Sequence, residues 1–325
     1  MVDLSVVIPI RNEAPSLVEL HREFTDTLTA WGRSYEIIVI DDGSTDESFA
    51  TLARLQAGDP RLRVIRFRRN FGQTAAFAAG FAHARGRLIV TSDGDLQNDP
   101  HDIPAMIGQL EGGFDIVCGW RRDRKDAFVS RRLPSTMANT LISAVTGVHL
   151  HDYGCSLKVF RAEIVKDMKL YGEMHRFLPA IASEQTSSIG EKVVNHRARK
   201  YGHSKYGIGR TVRVILDLLT VKFLLSYSTR PLQIFGLIGI VMGLIGAVIS
   251  GGLAVQRLRE VASLDQHMPL LLLGILLIFT GFQLVTLGLL AELQVRTYHE
   301  SQNKPIYVIR DILEAPTTEL LVSSR

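Results

Sequence analysis

Tyr35-Glu-Ile-Ile-Val-Ile-Asp-Asp-Gly-Ser-Thr-Asp46 decides the fold class. A β-rich run ends abruptly in two aspartates, a glycine and two hydroxyls. Such a run, apolar almost throughout, predicts a strand buried on both faces. The turn after it has two readings. Ser44 or Thr45 caps a following helix with Gly43 as the turn residue, or the carboxylates face a ligand. Further runs of the same kind lie at Leu4–Ile10, Leu62–Phe67, Arg87–Ser92 and Phe114–Cys118. Helix-like stretches separate them near Ala14–Trp31, Asp46–Gln56, Thr74–Ala84 and Pro104–Glu111. Strand–helix alternation predicts an α/β domain: a mostly parallel sheet with helices on both faces.

In such sheets ligands bind beyond the carboxyl ends of the strands. There the sequence places Pro9-Ile-Arg-Asn-Glu13, the Asp41–Asp46 turn, Arg69-Asn-Phe-Gly-Gln73 and Ser92-Asp-Gly-Asp-Leu-Gln97. Acidic and polar groups therefore collect along one edge. No Gly-x-Gly-x-x-Gly follows the first strand, and no phosphate-binding Gly-x-x-x-x-Gly-Lys-Ser/Thr occurs. This argues against a dinucleotide oxidoreductase and a P-loop NTPase. At an extended strand end Asp93 and Asp95 point the same way. Two carboxylates there suit Mg²⁺ or Mn²⁺, which completes its shell with water and substrate phosphates. The plainer alternative is a solvated turn with a helix-capping aspartate.

The remaining composition locates the chain. Its 325 residues, 46% hydrophobic and 22% charged with net charge +4, exclude disorder and allow about two domains. Two cysteines, Cys118 and Cys155, exclude a disulfide scaffold and fit a reducing compartment. The mean hydropathy of +0.14 has a local cause. Pro231–Gln256 and Gln266–Ala291 are each 26 residues without Lys, Arg, Asp or Glu. A bilayer-spanning helix needs about 20 such residues; the alternative is a pair of buried core helices. The short connection makes them a hairpin with both ends on one side. Arg210, Arg213, Lys222 and Arg230 precede it, and Arg296, Lys304 and Arg310 follow, which predicts that this side is cytoplasmic. Leu4–Ile10 is too short for a secretory signal and lacks a basic flank. Gly239, Gly243, Ala247 and Gly251 form one small-residue stripe, and Gly274, Gly281 and Gly288 another. They suit close helix contact, within the hairpin or between subunits.

Ser5-Val-Val-Ile-Pro-Ile-Arg-Asn-Glu13, Asp41-Asp-Gly-Ser-Thr-Asp46 and Asp93-Gly-Asp-Leu-Gln97 resemble the signatures of inverting family-two glycosyltransferases with the GT-A fold. Asn70-Phe-Gly-Gln73, His151-Asp-Tyr-Gly-Cys-Ser-Leu-Lys158, Arg176-Phe-Leu-Pro179 and Arg199-Lys-Tyr-Gly-His-Ser-Lys-Tyr206 narrow the resemblance. They are similar to the polyprenyl-phosphate glycosyltransferases, related to dolichol-phosphate mannose synthase and closer to the bacterial GtrB and ArnC branch. The resemblance spans about Leu4 to Arg310. It implies a GT-A nucleotide-sugar-binding domain over 1–205 and amphipathic interfacial helices over 206–230. Two transmembrane helices follow within 231–292, at about 232–256 and 268–291. A cytoplasmic tail over 293–325 carries a strand at 304–312, paired with its own domain or a neighbour.

The implied reaction moves one sugar, with inversion, from a nucleotide sugar to the phosphate of a membrane polyprenol. UDP-glucose and undecaprenyl phosphate are the expected substrates, with another sugar, mannose from GDP-mannose or a modified aminosugar, as the alternative. The implied donor-site residues are Pro9, Arg11, Glu13, Asp41, Asp42, Gln73, Asp93, Gln97 and Lys205. Asp93 and Asp95 hold the metal, and Lys205 and Arg199 steady the leaving diphosphate. Arg122, Arg131 and Ser135 are the acceptor-phosphate candidates. Asp152 stands where the family places a base or orienting carboxylate, or it caps the turn before Gly154. From Lys192 to Leu216 there are seven Lys/Arg and no Asp/Glu. Directly before apolar spans, such a run predicts phosphate or anionic headgroup contact rather than nucleic acid. His175, His196 and His203 lack a metal-ligand arrangement. A Gln-x-x-Arg-Trp motif is absent and Glu184 is followed by Gln185, which favours a single transfer over polymerisation. A cytoplasmic-membrane homo-oligomer, a tetramer by analogy, completes the expectation. A non-catalytic membrane scaffold is the competing class.

Overall fold

The computed structural model describes residues 2–122, 139, 142–143, 146–168, 170, 174–198, 200, 231–258, 267–301 and 305–315. The chain divides into two compact units: Met1–Val221 with Pro305–Arg325, and Lys222–Lys304.

The first unit is built on a sheet of strands β1 (Leu4–Ile10), β2 (Tyr35–Asp41), β3 (Leu62–Phe67), β4 (Leu88–Thr91), β5 (Ile116–Trp120), β6 (Lys158–Arg161), β7 (Ile189–Val193) and β8 (Ile309–Leu313). Their order is β7-β5-β6-β4-β1-β2-β3-β8. β1 pairs in parallel with β2 and β4, β2 with β3, and β5 with β7. β6 runs antiparallel to β4 and β5, and β8 antiparallel to β3. The sheet is thus mostly parallel, as the apolar runs predict.

Helices α1 (Leu17–Trp31), α2 (Ser48–Gly58), α3 (Gln73–His83) and α4 (Ile103–Glu111) connect the parallel strands. Leu17, Leu20, Phe24 and Leu28 of α1 recur at helical spacing and join Leu4, Val6 and Ile8 of β1 in one buried cluster. Val7 faces the opposite side, beneath Gly80 of α3, where a methyl group would meet its side chain at 2.2 Å. Short helices α5 (Ala162–Lys166) and α6 (Leu178–Ala182) follow β6.

The sheet bottom, at the amino ends of the parallel strands, is locked by charge. Glu36 is buried and accepts from Ser5 Oγ (2.6 Å), the Arg85 amide (2.7 Å) and Arg63 Nη1 (2.8 Å). Glu314, just beyond β8, accepts from Arg63 Nε (3.0 Å) and Arg85 Nη2 (2.9 Å). The tail strand therefore lies at Ile309–Leu313 rather than 304–312, and it pairs with β3 of the same chain. A bulge between Arg66 and Phe67 on the partner strand shifts its register, with Arg66 opposite Asp311 and Phe67 opposite Ile309.

The second unit is a helical hairpin of α7 (Pro231–Leu258) and α8 (Met268–Ser301). Within them Phe235–Gln256 and Met268–Leu290 are long and apolar enough to cross a membrane, with hydropathy 2.3 and 2.4. Large apolar side chains face outward: Leu237, Val248 and Phe282 are 65%, 74% and 70% exposed. The helices meet through glycine. A methyl group on Gly239 would lie 2.5 Å from the Gly281 carbonyl oxygen, and one on Gly246 2.4 Å from that of Gly274. The contact face thus repeats every seven residues on both helices. Side chains added at Gly243 and Gly251 would point into open space.

Candidate active site

The carboxyl ends of β1, β2 and β4 are stitched into one edge by short polar contacts. After β1, Asn12 adopts a positive φ of 55°. Its side-chain oxygen accepts from the Thr45 amide (2.8 Å), and its own amide donates to Ser44 Oγ (2.9 Å). The Glu13 amide donates to Ser48 Oγ (3.0 Å), which binds the first loop to the start of α2. Gly43, φ 66°, has the Arg69 backbone where a Cβ would stand, 2.5 Å from its carbonyl carbon. Only glycine fits both the dihedral and this approach.

The two aspartates after β2 have different settings. Asp41 is fully buried, and its Oδ1 accepts from the Ser44 amide (2.8 Å). Arg66 Nε stands 3.9 Å from Oδ2, too far for a hydrogen bond. Asp41 lies beneath the turn, where it shapes the loop. Asp42 grips the next loop. Its oxygens accept from the amides of Phe71 (2.7 Å) and Gly72 (3.0 Å). Burial pushes its carboxyl above the ordinary range, against these two amides and the nearby Arg11.

The loop Arg69–Gln73 reaches on to β4. Gln73 Nε2 donates to Asp93 Oδ1 (2.8 Å). Asp95 Oδ1 accepts from the Gln97 amide (3.2 Å), and Leu96 between them has a positive φ of 62°. A buried leucine in that region is strained, and such strain gathers at functional sites. Gly94 lets this turn press on β1, where a methyl group would sit 2.6 Å from Ile10 Cγ2. Gln97 pairs with Arg197 through the backbone (2.9 Å).

The carboxylates of Asp93 and Asp95 fit a hard divalent ion by their chemistry. No cluster of three His, Cys, Asp or Glu suited to a metal occurs among the described residues.

Beyond β5, Asp152 binds Arg121 through both guanidinium arms: Nε to Oδ2 at 2.7 Å and Nη2 to Oδ1 at 2.9 Å. The Gly154 amide also donates to Oδ1 (3.1 Å). Burial opposes the Arg121 charge, but the Asp152 hydrogen bonds outweigh it and raise its pKa. Glu191 on β7 secures the loop before Asp152, taking the His151 amide (2.8 Å) and Nδ1 (2.7 Å), while the His151 ring stacks on Trp120 at 4.2 Å. Thr74, at the start of α3, meets His175 Nδ1 at 2.9 Å and ties in the Arg176-Phe-Leu-Pro segment.

The structure thus brings Pro9, Arg11, Glu13, Asp42, Gln73, Asp93, Asp95 and Gln97 to the loops and strand end of one sheet edge. Arg122 follows β5, its amide donating to the Trp120 carbonyl (3.0 Å). Arg131, Ser135, Arg199, Lys205 and the 206–230 segment lie outside the described residues. Arg121 is not among the acceptor-phosphate candidates expected from the sequence; its partner is 31 residues away, and no local pattern joins them. Glu191 was likewise invisible, lying in a strand without an alternating pattern.

The described motifs match a known family model. Residues 5–169 match the model for glycosyl transferase family 2. The chain belongs to that family. The glycosyltransferase is 46% identical over 317 residues to the dodecaprenyl-phosphate galacturonate synthase of Rhizobium johnstonii, covering 96% of this chain and 93% of the relative. It is 38% identical over 318 residues to the undecaprenyl-phosphate 4-deoxy-4-formamido-L-arabinose transferase of Shewanella sediminis, covering 97% and 94%. Its fold resembles glucosyl-3-phosphoglycerate synthase from Mycobacterium tuberculosis, solved with Mn²⁺ and UDP-glucose. The TM-score is 0.55 at 19% identity, over 68% of this chain and 78% of that one. These comparisons make the α/β unit a GT-A-like domain.

Proposed function

We propose that this glycosyltransferase moves one sugar, with inversion at the anomeric carbon, from a nucleotide sugar to the phosphate of a membrane polyprenol. The observation that carries the reading is the loop Arg69–Gln73, which links Asp42 after β2 to Asp93 after β4, the strands on either side of β1. It gathers carboxylates at the sheet edge where a nucleotide diphosphate and its ion would sit. Asp93 and Asp95 would hold Mg²⁺ or Mn²⁺. Such an ion supplies positive charge to a leaving diphosphate.

The chain's own residues do the rest. Glu13 and Asp42, with Pro9 and Arg11, frame the nucleoside end of the site. Arg121, held by Asp152, presents a fixed cation beyond β5. An acceptor phosphate is already anionic, so it needs no strong base; it needs cations that let two anions approach. Asp152 therefore serves as an orienting carboxylate. Arg122, Arg131 and Ser135 extend this cationic side for the acceptor, and Arg199 and Lys205 serve the leaving diphosphate. The apolar hairpin holds the enzyme in the cytoplasmic membrane, where the lipid acceptor resides.

The sequence alone pointed to UDP-glucose. Neither polyprenyl-phosphate relative is named for glucose, and the more similar of the two is named for galacturonate. UDP-galacturonate is accordingly the proposed donor. The test is a donor panel on the purified full-length protein in detergent, with dodecaprenyl phosphate and Mn²⁺, read by mass spectrometry of the lipid. Addition of one hexuronate, lost with EDTA, is the expected result. A hexose or formamido-pentose product would replace the donor. No product from any donor by folded protein would sink the enzyme reading in favour of a scaffold.

A further inference from the structure

The loop that bridges Asp42 and Asp93 is braced from behind by the segment returning from the apolar helices. Tyr307 stacks on Phe67 at 5.2 Å with the rings 13° apart. Phe67, 1% exposed, meets the edge of Phe71 at 5.7 Å and 88°. The Arg69 guanidinium covers the Phe71 ring at 4.2 Å. The Arg68 amide donates to the Val308 carbonyl (3.1 Å), so backbone pairing with the returning segment runs up to the loop itself. The backbone of that loop then supplies both amides that Asp42 accepts, and Gln73 supplies the contact to Asp93.

From this geometry we infer that Tyr307 is a positioning residue for donor binding. It acts through Phe67 and Phe71 to set the loop Arg69–Gln73, and it touches no reacting atom. Three aromatic side chains in series transmit position because each ring has a preferred offset or edge-on arrangement. Among the described residues the Tyr307 hydroxyl makes no hydrogen bond, so the ring carries the contact. Residues after the hairpin thereby take part in shaping a sheet edge built from the first hundred residues. The inference rests on the donor-site reading above.

The test compares Tyr307→Ala, Tyr307→Phe and Glu314→Gln in the full-length protein. Binding of UDP with Mn²⁺ is followed by calorimetry, and KM for donor and polyprenyl phosphate by turnover. Tyr307→Ala should weaken UDP binding and raise the donor KM by up to about tenfold, the upper range for an aromatic pair. KM for the lipid should stay within about twofold, and Tyr307→Phe should restore donor binding. Glu314→Gln loosens β8 at its far end and should lower the Tm without moving donor KM. Should Tyr307→Ala not fold, Tyr307→Leu carries the same comparison. Normal UDP binding in a folded Tyr307→Ala or Tyr307→Leu protein, with only Tm reduced, overturns the inference while leaving the donor site standing. Wild-type protein that neither binds UDP nor turns over would instead remove the donor-site reading, and the role of Tyr307 with it.

Discussion

Asp152 accepts from both arms of the Arg121 guanidinium and from the Gly154 amide, and its side chain is only 5% exposed. Removing one partner of a buried pair strands the other charge, at a cost of about 3–5 kcal/mol. Asp152→Asn should therefore lower the Tm sharply, and Arg121→Met in the same protein should restore much of it. A general base would behave otherwise: Asp152→Asn would keep the Tm and erase the acidic limb of the kcat–pH profile. Asp95→Asn should abolish turnover with Mg²⁺ or Mn²⁺ as sole metal while the Tm holds; wild-type-like turnover would refute its metal role. Asp99 offers a pH prediction. Burial works against its charge, yet hydrogen bonds from Asn195, His101 and Arg197 hold its carboxyl at about 2, against 3.8 for the free side chain. A depressed carboxyl stabilises the fold above the unfolded value and loses that effect as pH falls through the folded one. The gap in Tm between the wild type and Asp99→Asn should be widest above about pH 4 and shrink toward pH 2, with about 2 kcal/mol at stake. A gap that is constant with pH would mean that only geometry was lost.

At the scale of elements, β1, β2 and β3 were legible to the residue because each is a run of six or seven residues rich in β-branched side chains and bounded by polar turns. β6 and β7 were not. Lys-Val-Phe-Arg in β6 and Ile-Gly-Glu-Lys-Val in β7 are short and carry charge, and tertiary pairing alone makes them strands. The strand-end acids were legible as a set, because the topology of a parallel sheet sends successive loops to one edge. What each acid does there was not: Asp41 and Asp42 are neighbours in sequence, yet one is sealed below the turn and the other grips a loop 30 residues away. The Glu36–Arg63 pair, with side chains 6% and 9% exposed, was also hidden, since glutamate in a buried strand has no sequence mark. Glu36→Gln should cost about 3–5 kcal/mol by leaving Arg63 short of its buried partner. Thermal melts decide this, and a loss below about 1 kcal/mol would mean that Glu314 suffices alone.

At the scale of the molecule, the hairpin holds by the close approach of glycines to the facing helix. Gly246→Leu should separate α7 from α8, because its first carbon already meets the Gly274 carbonyl, whereas Gly243→Ala should be silent. Cysteine cross-linking between the two helices in detergent would read the difference, and equal cross-linking in both variants would refute it. The tail strand carries a consequence for biosynthesis. β8 is made after both apolar helices, yet it completes the sheet whose other strands are made before them. A ribosome adds about 5–20 residues per second, and domains fold as they emerge. While the roughly 80 residues of the second unit are translated, β3 waits as an open edge, the kind of surface on which chains pair wrongly. Membrane insertion thus falls inside the folding of the catalytic unit, and a chain that stops short of Ile309 would leave that edge permanently bare.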